Sequence, residues 1–324
     1  MSSEPILEAI DRQQWLEPVA EEIQQAVHRT FESAGESGRS VKDALHGTWL
    51  GHPVHAVLTD IPVGAWTATV VCDALEDMTE HDGFAKASDL ALTVGLIGAV
   101  GSALTGLTDW SETDGRARKV GLVHGLMNLG AALLFGTSLV YRTRKQRKFG
   151  RSLSALGYAV AFGSAYLGGE LVYNEQVGVN HAAGGPPLPE DFVGVGSAAD
   201  LAEGEMRKAD ANGVPVLLAR VNGEIHAIHA TCSHAGGPLA EGKLEGNAVT
   251  CPWHGSAFDV RNGKVLNGPA THPQPCFETR VRDGRIEIRR VRPSRIATSE
   301  PPRLVTAANS GQLALEGIGE TRNG

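Results

Sequence analysis

Cys232-Ser-His234 and Cys251-Pro-Trp-His254 decide the fold of the C-terminal part of this chain. They form a C-x-H pair and a C-x-x-H pair, separated by sixteen residues. Thiolates and imidazoles are side chains that bind transition metals. Two mixed pairs at this spacing therefore predict a split metal site, to which each of two loops contributes one sulfur and one nitrogen ligand.

A glycine-containing loop follows each pair: His234-Ala-Gly-Gly-Pro-Leu239 and His254-Gly-Ser-Ala-Phe258. Glycine permits tight turns, so backbone N–H groups can approach a metal centre and hydrogen-bond its sulfurs. In one kind of [2Fe–2S] cluster, the Rieske centre, two imidazoles replace two thiolates on one iron, which raises the reduction potential. The ligand set favours such a cluster.

Over roughly residues 190–291 the chain closely resembles the Rieske family, including the Cys-Pro-Trp-His-Gly-Ser-Ala-Phe-Asp run. The resemblance implies that Cys232 and Cys251 hold one iron of a [2Fe–2S] cluster. It also implies that His234 and His254 hold the other iron.

A structural zinc site is the main alternative. Zinc sites also use two Cys and two His, but usually as a C-x-x-C pair followed by a separate His pair. Here each pair mixes one Cys with one His, which suits a zinc finger poorly.

Residues near the second pair bear on the reduction potential. Respiratory-complex members of the Rieske family usually carry an extra Cys in each ligand loop, joined as a disulfide, and a Tyr near the second loop. Here Gly237 or a neighbour and Trp253 stand at the Cys positions, and Phe258 stands at the Tyr position. Fewer hydrogen bonds to the cluster imply a lower potential, although Ser256 could donate to a cluster sulfur. The resemblance is therefore closer to Rieske ferredoxins.

Short β-rich runs surround the two pairs. Val214–Val221 and Glu224–His229 flank Asn222-Gly223, which is a hairpin signal. Further short strands are predicted at 249–251, 258–260, 277–281 and 285–289. The pattern indicates a small antiparallel β domain of the sandwich or barrel kind, with both ligand loops at its tip.

Composition divides the 324 residues into five segments of a multi-domain α plus β chain. A net charge of −8, without a basic patch interleaved with aromatics, argues against a nucleic-acid partner. We predict a polar N-terminal segment with amphipathic helices (1–51), a four-helix membrane domain (52–174), a linker (175–190), the Rieske domain (191–291) and a flexible tail (292–324).

Four apolar stretches define the membrane domain. Leu90–Thr108, Val120–Tyr141 and Ser152–Gly169 contain 19, 22 and 18 residues without Asp, Glu, Lys or Arg. A helix needs about 20 apolar residues to cross a bilayer. The first stretch, Ile61–Cys72, has only 12 residues and is bounded by two aspartates. We predict a four-helix transmembrane bundle; the alternative is four buried helices of a large soluble domain.

Small and polar residues form a stripe at helical spacing on each of the two middle helices. Gly95, Gly98 and Ser102 belong to one stripe, and Gly121 and His124 belong to the other. Small residues let helix backbones approach closely in membranes. The two stripes are expected to face each other, which would leave Leu, Val and Phe for lipid.

The segment 52–174 also resembles a family of bacterial four-helix membrane domains whose activity is not established. The shared features are the His-Pro-x-His opening at residue 52 and Leu-Thr-Asp-Trp at 107–110. The resemblance implies an integral protein of the bacterial cytoplasmic membrane. The connection 142–151 carries six Lys and Arg residues and should be cytoplasmic. Four spans would then make the Rieske domain extracytoplasmic.

Four ionisable residues lie toward the membrane face to which the Rieske domain attaches: His52, His55, Asp60 and His124. Ionisable groups in a membrane are costly, so they are candidates for function. Three interpretations stay open. One is a haem b held by His124 with His52 or His55, another is a quinone pocket or other metal site, and the third is a buried polar network.

Together these features predict a membrane-anchored one-electron carrier that passes electrons between a membrane donor and a redox partner. No catalytic residue is expected, because neither a downstream 2-His-1-carboxylate domain nor a dinucleotide fingerprint is found. The alternatives are a redox or iron–sulfur sensor and a quinol-oxidising subunit. The expected partners are donor and acceptor proteins or quinone, and membrane lipid. The oligomeric state is not indicated.

Overall fold

The computed structural model describes residues 4–291. The tail predicted at 292–324 lies outside these residues. Within them, a helical part precedes an antiparallel β part, which confirms the α plus β class.

Three helices occupy the polar N-terminal segment. Leu7 packs with Val120, and Leu16 packs with Leu122, so the apolar sides of these helices contact a later, longer helix. The segment is therefore a cover on the helical bundle and not a free extension. The helices are α1 (Glu4–Asp11), α2 (Leu16–Ser33) and α3 (Gly35–His46).

Four long helices follow: α4 (Val54–Thr79), α5 (Asp82–Trp110), α6 (Gly115–Thr143) and α7 (Arg147–Tyr173). The first three are long and apolar enough to span a membrane. Among residues 4–291 the structure thus has three candidate spans, and the predicted number of four is corrected. Helix α7 has sufficient length, but its Gly, Ser and Tyr residues lower its mean hydropathy.

The long helices pack mainly as two antiparallel hairpins, α4 with α5 and α6 with α7. A Cβ atom added at Gly95 would lie 2.3 Å from the Trp66 ring in α4. His124 bonds to α7, with its Nδ1 2.8 Å from the Ser164 carbonyl. The expectation that the stripes of α5 and α6 face each other holds at Gly121, which lies against Trp110 of α5, whereas Gly95 and His124 face their hairpin partners.

A buried ion network closes the end of the bundle where α6 meets α7. Arg142 donates to Asp73 of α4 at 2.8 Å and to Asp89 of α5 at 3.0 Å. Arg147 bonds Glu76 and also Asp89. These guanidinium groups tie α4 and α5 to the predicted basic connection. The opposite end of the bundle, where α4 begins and α7 ends, leads into the β part.

Ten strands form the β part. They are β1 (Val193–Ser197), β2 (Met206–Ala211), β3 (Val214–Val221), β4 (Glu224–His229), β5 (Lys243–Glu245), β6 (Ala248–Thr250), β7 (Ala257–Asp259), β8 (Val265–Asn267), β9 (Cys276–Arg282) and β10 (Arg285–Arg290). A six-stranded sheet has the order β1-β10-β9-β4-β3-β2, and a four-stranded sheet has the order β5-β6-β7-β8. All pairings are antiparallel.

The predicted hairpin at Asn222-Gly223 is confirmed, since it joins β3 to β4 with φ of 55° and 79°. Both residue types tolerate this left-handed region. Leu217 of β3 packs with Val249 and Phe258 of the smaller sheet. The apolar face of the hairpin therefore supports the smaller sheet, whose strands border the second ligand loop.

Candidate metal centre

The two predicted ligand loops have the same backbone geometry. The N–H of Cys232 and that of Cys251 each donate to the carbonyl five residues later, at 2.8 Å in both loops. The N–H four residues later donates back to the Cys carbonyl, at 3.0 and 3.2 Å. Gly236 and Gly255 supply that N–H with φ of 78° and 74°, a conformation that glycine adopts without Cβ strain. Each loop therefore turns tightly around its cysteine.

The two ligand loops place their cysteines beside each other and their histidines beside each other. The thiols of Cys232 and Cys251 are buried and hydrogen-bond each other. The rings of His234 and His254 have centroids 5.0 Å apart and are nearly perpendicular, at 84°. Two sulfurs on one side and two imidazoles on the other suit a two-iron cluster better than a single tetrahedral zinc ion.

One nitrogen in this group lacks a partner. The Nδ1 of His234 is buried and has no hydrogen bond within residues 4–291. A buried polar atom left unpaired costs about 1–3 kcal/mol. A metal would satisfy it, so this atom fits the role of an iron ligand.

Gly237 allows the loops to approach each other. A Cβ atom added there would lie 2.8 Å from the Sγ of Cys251 and 3.1 Å from the Trp253 ring. Gly237 and Trp253 are the positions compared above with the disulfide of respiratory members, and the structure brings them together. The four cysteines, all within the described residues, are free thiols.

The protonation states of two predicted ligands suit metal binding, and Cys232 has to lose its thiol proton when a metal binds. The hydrogen bond with Cys232 lowers the pKa of Cys251 to about 6. The same hydrogen bond, with burial, raises the pKa of Cys232. Burial lowers the pKa of His234 to about 3, so its imidazole is neutral at pH 7. Thiolate and neutral imidazole are the forms that ligate metals.

The three predicted tuning residues have different surroundings. Ser256 is buried and its Oγ accepts from the N–H of Ala270 at 3.0 Å, which leaves the hydroxyl hydrogen available. Phe258 is buried in the apolar cluster that contains both ligand-loop cysteines. Trp253 is 57% exposed. Ser256 is the tuning residue whose environment suits a hydrogen bond to the cluster.

Sequence reasoning missed Asp114, which contacts the predicted ligand His254. Its Oδ2 lies 3.1 Å from the Nε2 of His254, and its Oδ1 accepts from Arg118 at 2.8 Å. Asp114 occupies the N-cap position of α6 but makes no capping hydrogen bond there. An Asp before a helix is ordinarily interpreted as a cap, so the sequence contains no signal that links residue 114 to residue 254.

Two further contacts hold the tip of the β part. The N–H of Gly268 donates to Asp43 of α3 at 2.8 Å. The N–H of His181, beyond α7, donates to the carbonyl of Ser233 in the first ligand loop at 3.1 Å. The ligand loops therefore contact the N-terminal cover, the α5–α6 connection and the segment that follows α7.

The predicted membrane histidines are already bonded to protein. The Nδ1 of His124 donates to the carbonyl of Ser164, and its Nε2 accepts from Asn128 at 3.1 Å. The Nδ1 of His55 donates to the carbonyl of Ser102 at 2.9 Å. Both nitrogens of His124 are occupied, so haem ligation would require the loss of a hydrogen bond.

His52 and Asp60 do not join this group. Both are exposed, and the Nδ1 of His52 makes only a long contact, 3.4 Å, to the carbonyl of Pro53. The geometry therefore favours a polar network that fixes helix packing, and haem b is not supported within the described part of the chain.

Comparison with known families divides the chain as its fold does. Residues 191–278 match the Rieske [2Fe-2S] domain. Residues 51–181 match a predicted membrane protein family, DUF2231.

Curated relatives resemble the β part. Ferredoxin CarAc of Metapseudomonas resinovorans is 35% identical over 98 residues, which cover 30% of this chain and 92% of that ferredoxin. Apoptosis-inducing factor 3 of Mus musculus is 35% identical over 105 residues, which cover 32% of this chain. The chain spans only 17% of the length of that protein. Among solved structures, the ferredoxin of carbazole 1,9a-dioxygenase from Nocardioides aromaticivorans IC177 is 27% identical, covering 31% of this chain and 99% of that one, with a TM-score of 0.30.

The antiparallel β domain and its two Cys–His loops thus define an iron–sulfur protein of the ferredoxin class. More specifically, the chain belongs to the Rieske [2Fe-2S] family, and its Rieske domain is fused to a DUF2231 membrane domain. Its Rieske domain is similar to ferredoxins.

Proposed function

We propose that this chain is a membrane-anchored one-electron carrier whose Cys232 and Cys251 bind one iron and whose His234 and His254 bind the other. The observation that carries the proposal is the unpaired, buried Nδ1 of His234 beside a second imidazole and a pair of buried thiols. When bound, a [2Fe–2S] cluster supplies reversible one-electron transfer.

The residues around the ligands favour cluster binding and influence the reduction potential of the cluster. The lowered pKa values of Cys251 and His234 favour their metal-binding forms at pH 7, whereas Cys232 has to lose its thiol proton when a metal binds. The Ser256 hydroxyl, whose hydrogen is available, would donate to a sulfur of the bound cluster, stabilise the added electron and raise the potential. Phe258 excludes water beneath the second loop.

The helical part supplies the anchor. Large apolar side chains project outward from it, including Ile97 at 70%, Leu133 at 63% and Phe162 at 72% exposure. Soluble proteins rarely expose so continuous an apolar surface, whereas lipid tails satisfy it. Helices α4, α5 and α6 are the candidate spans, and α7, which is 27 residues long and packs antiparallel to α6, returns the chain to the membrane face at which α4 begins.

We place the protein in the bacterial cytoplasmic membrane with the Rieske domain extracytoplasmic. The connection 142–151 faces the cytoplasm because orientation follows the number of Lys and Arg residues, even where acidic groups pair with them. Labelling of Glu241→Cys with a membrane-impermeant maleimide tests this orientation. Labelling in intact cells supports it, and labelling only after the cells are opened reverses it.

Electron partners follow from the relatives. Ferredoxins such as the 3-phenylpropionate/cinnamic acid dioxygenase ferredoxin subunit are 41% identical over 91 residues. We propose that this chain likewise exchanges electrons with an oxygenase or reductase protein. Anchoring both proteins to one membrane raises the effective concentration of each near the other.

Low-temperature EPR of the dithionite-reduced membrane fraction tests the core of the proposal. We expect the rhombic signal of a reduced Rieske cluster, in membranes and not in the soluble fraction. No rhombic signal would end the cluster assignment, and a signal confined to the soluble fraction would end the anchoring. A potentiometric titration then separates roles. A low midpoint potential supports electron transfer to oxygenase-type partners, whereas a high midpoint potential supports quinol oxidation instead.

A further inference from the structure

The ligand-bearing tip is fixed to the helical part through contacts that Rieske ferredoxins without a membrane domain cannot make. Asp114, Asp43 and His181 each bond to a residue in or near the cluster loops. These contacts come from three separate segments: the α5–α6 connection, α3 and the chain beyond α7. Three bonds from three directions define one orientation of the tip.

Asp114 differs from the other two because it contacts a predicted iron ligand directly. Its carboxylate is oriented by Arg118, which is 17% exposed and also bonds Glu17 of α2 at 2.8 Å. The result is a chain of alternating charge from α2 through the start of α6 to His254. The side chain of Asp114 bonds Arg118 and His254 and makes no capping hydrogen bond at the start of α6.

We propose that the membrane domain is a docking surface for the cluster, and that Asp114 is its positioning residue. The inference rests on the proposed function, since it takes His254 as an iron ligand. The carboxylate accepts the Nε2–H of His254, which leaves Nδ1 as the nitrogen that carries a lone pair for the iron. Its negative charge favours the oxidised, more positive state of the cluster and lowers the reduction potential.

The size of the effect follows from exposure. The Asp114 side chain is 68% exposed, so water and salt screen its charge. Beside the contact lies a polar cleft of about 490 Å³, which keeps the site hydrated. The expected effect of removing the charge is therefore a shift of the oxidised-to-reduced ratio by about threefold to tenfold at the wild-type midpoint, where tenfold equals 59 mV for a one-electron couple.

The test is an EPR-monitored redox titration of the full chain in detergent. Asp114→Asn removes the charge and keeps an acceptor oxygen, and we expect its midpoint to rise by that amount. The shift should shrink in 1 M salt. Asp283→Asn is the matched control, because it removes the same charge from the β9–β10 turn, where Asp283 is 92% exposed. Equal midpoints in both variants, with intact rhombic signals, would overturn the proposal and leave the proposed function standing.

Two further variants keep the test decisive. Asp114→Glu is needed if Asp114→Asn loses the cluster. Retention of the cluster in Asp114→Glu then supports a positioning role. Loss of the cluster in both variants overturns the assigned charge effect. Docking is tested by pairing Thr48→Cys with Gly268→Cys in an Asp43→Ala background, since a Cβ at Gly268 would lie 3.2 Å from the Thr48 methyl group and 2.7 Å from the Asp43 carboxylate. Rapid disulfide formation in the oxidised, cluster-containing protein supports the docked orientation. Failure to form it, with the rhombic signal present, contradicts that orientation.

Discussion

A partly buried histidine occurs in the membrane domain and another at the tip of the Rieske domain, and the protein satisfies their ring nitrogens differently. In the membrane domain, both ring nitrogens of His124 bond to protein groups. At the tip of the Rieske domain, the buried Nδ1 of His234 has no partner among residues 4–291. The C-x-H spacing distinguishes His234 in the sequence, and the structure adds the difference in hydrogen bonding. A missing partner beside two thiols and a second imidazole indicates a ligand at His234, whereas the full bonding of His124 indicates packing.

The largest effect expected from this difference is loss of the cluster on removal of one thiol. Cys232→Ser should abolish the rhombic EPR signal, because the thiol pair would lose one of its two sulfurs. Cys276→Ser is the matched control, since Cys276 is a second free thiol of the Rieske domain, partly buried, and burial raises its pKa to about 11. EPR and iron content of the purified proteins measure both. A full signal in Cys232→Ser would remove that residue from the ligand set.

The next effect tests the space between the loops. In Gly237→Ala the added methyl group would lie 2.8 Å from the Cys251 sulfur. Overpacking of this kind typically costs about 1–3 kcal/mol and moves the neighbouring backbone. We expect most of the iron to be lost. Gly184→Ala is the control, because a Cβ there meets nothing within 4 Å. The measurement is the iron content per protein molecule in the two variants. Full iron occupancy in Gly237→Ala would show that cluster binding does not require the close approach of the two loops.

The Rieske domain was predicted from the sequence more accurately than the membrane domain. The strands β3 and β4 and the Asn222-Gly223 turn were predicted residue by residue, since alternation and turn chemistry are local signals. The two Cys–His pairs were found because their spacing within each loop is also local. The Rieske ligand set therefore required no knowledge of tertiary contacts.

The membrane domain was predicted less well because its contacts are not local. Hydropathy indicated four spans, but the small and aromatic residues of α7 leave three by that measure. Glycine stripes showed where helices approach closely, but they did not show which helix lies opposite. Asp114 could not be linked to His254, because the two residues are 140 positions apart and Asp114 has the local features of a helix cap.

A smaller effect is expected in the membrane domain. His124→Ala should leave the visible spectrum unchanged, since no cofactor is expected to depend on this residue. It should lower stability by about 1–3 kcal/mol, because Ser164 and Asn128 lose a buried partner. His52→Ala, at an exposed position, is the control and should unfold as wild type does. Thermal unfolding in detergent and an absorption spectrum measure both quantities, and loss of a Soret band in His124→Ala would restore the haem interpretation.

The smallest effect extends the comparison to a carboxylate. Asp259 is buried in the Rieske domain and fully bonded, with Arg261 and Asn247 as partners. The Arg261 hydrogen bonds hold the pKa of Asp259 below its ordinary value. A carboxyl with a lowered folded-state pKa contributes stability above its unfolded pKa of about 3.9, and this contribution is lost as pH falls through the folded value.

Arg261→Gln should therefore weaken the smaller sheet near pH 7 and become indistinguishable from wild type in strong acid. Arg285→Gln is the control, because it removes the same charge from an exposed position at the start of β10. Hydrogen exchange of residues 243–267, compared near pH 7 and near pH 3, measures the local stability. A difference between Arg261→Gln and wild type that grows as the pH falls would contradict this assignment, because the ion pair can stabilise the fold only while Asp259 is ionised.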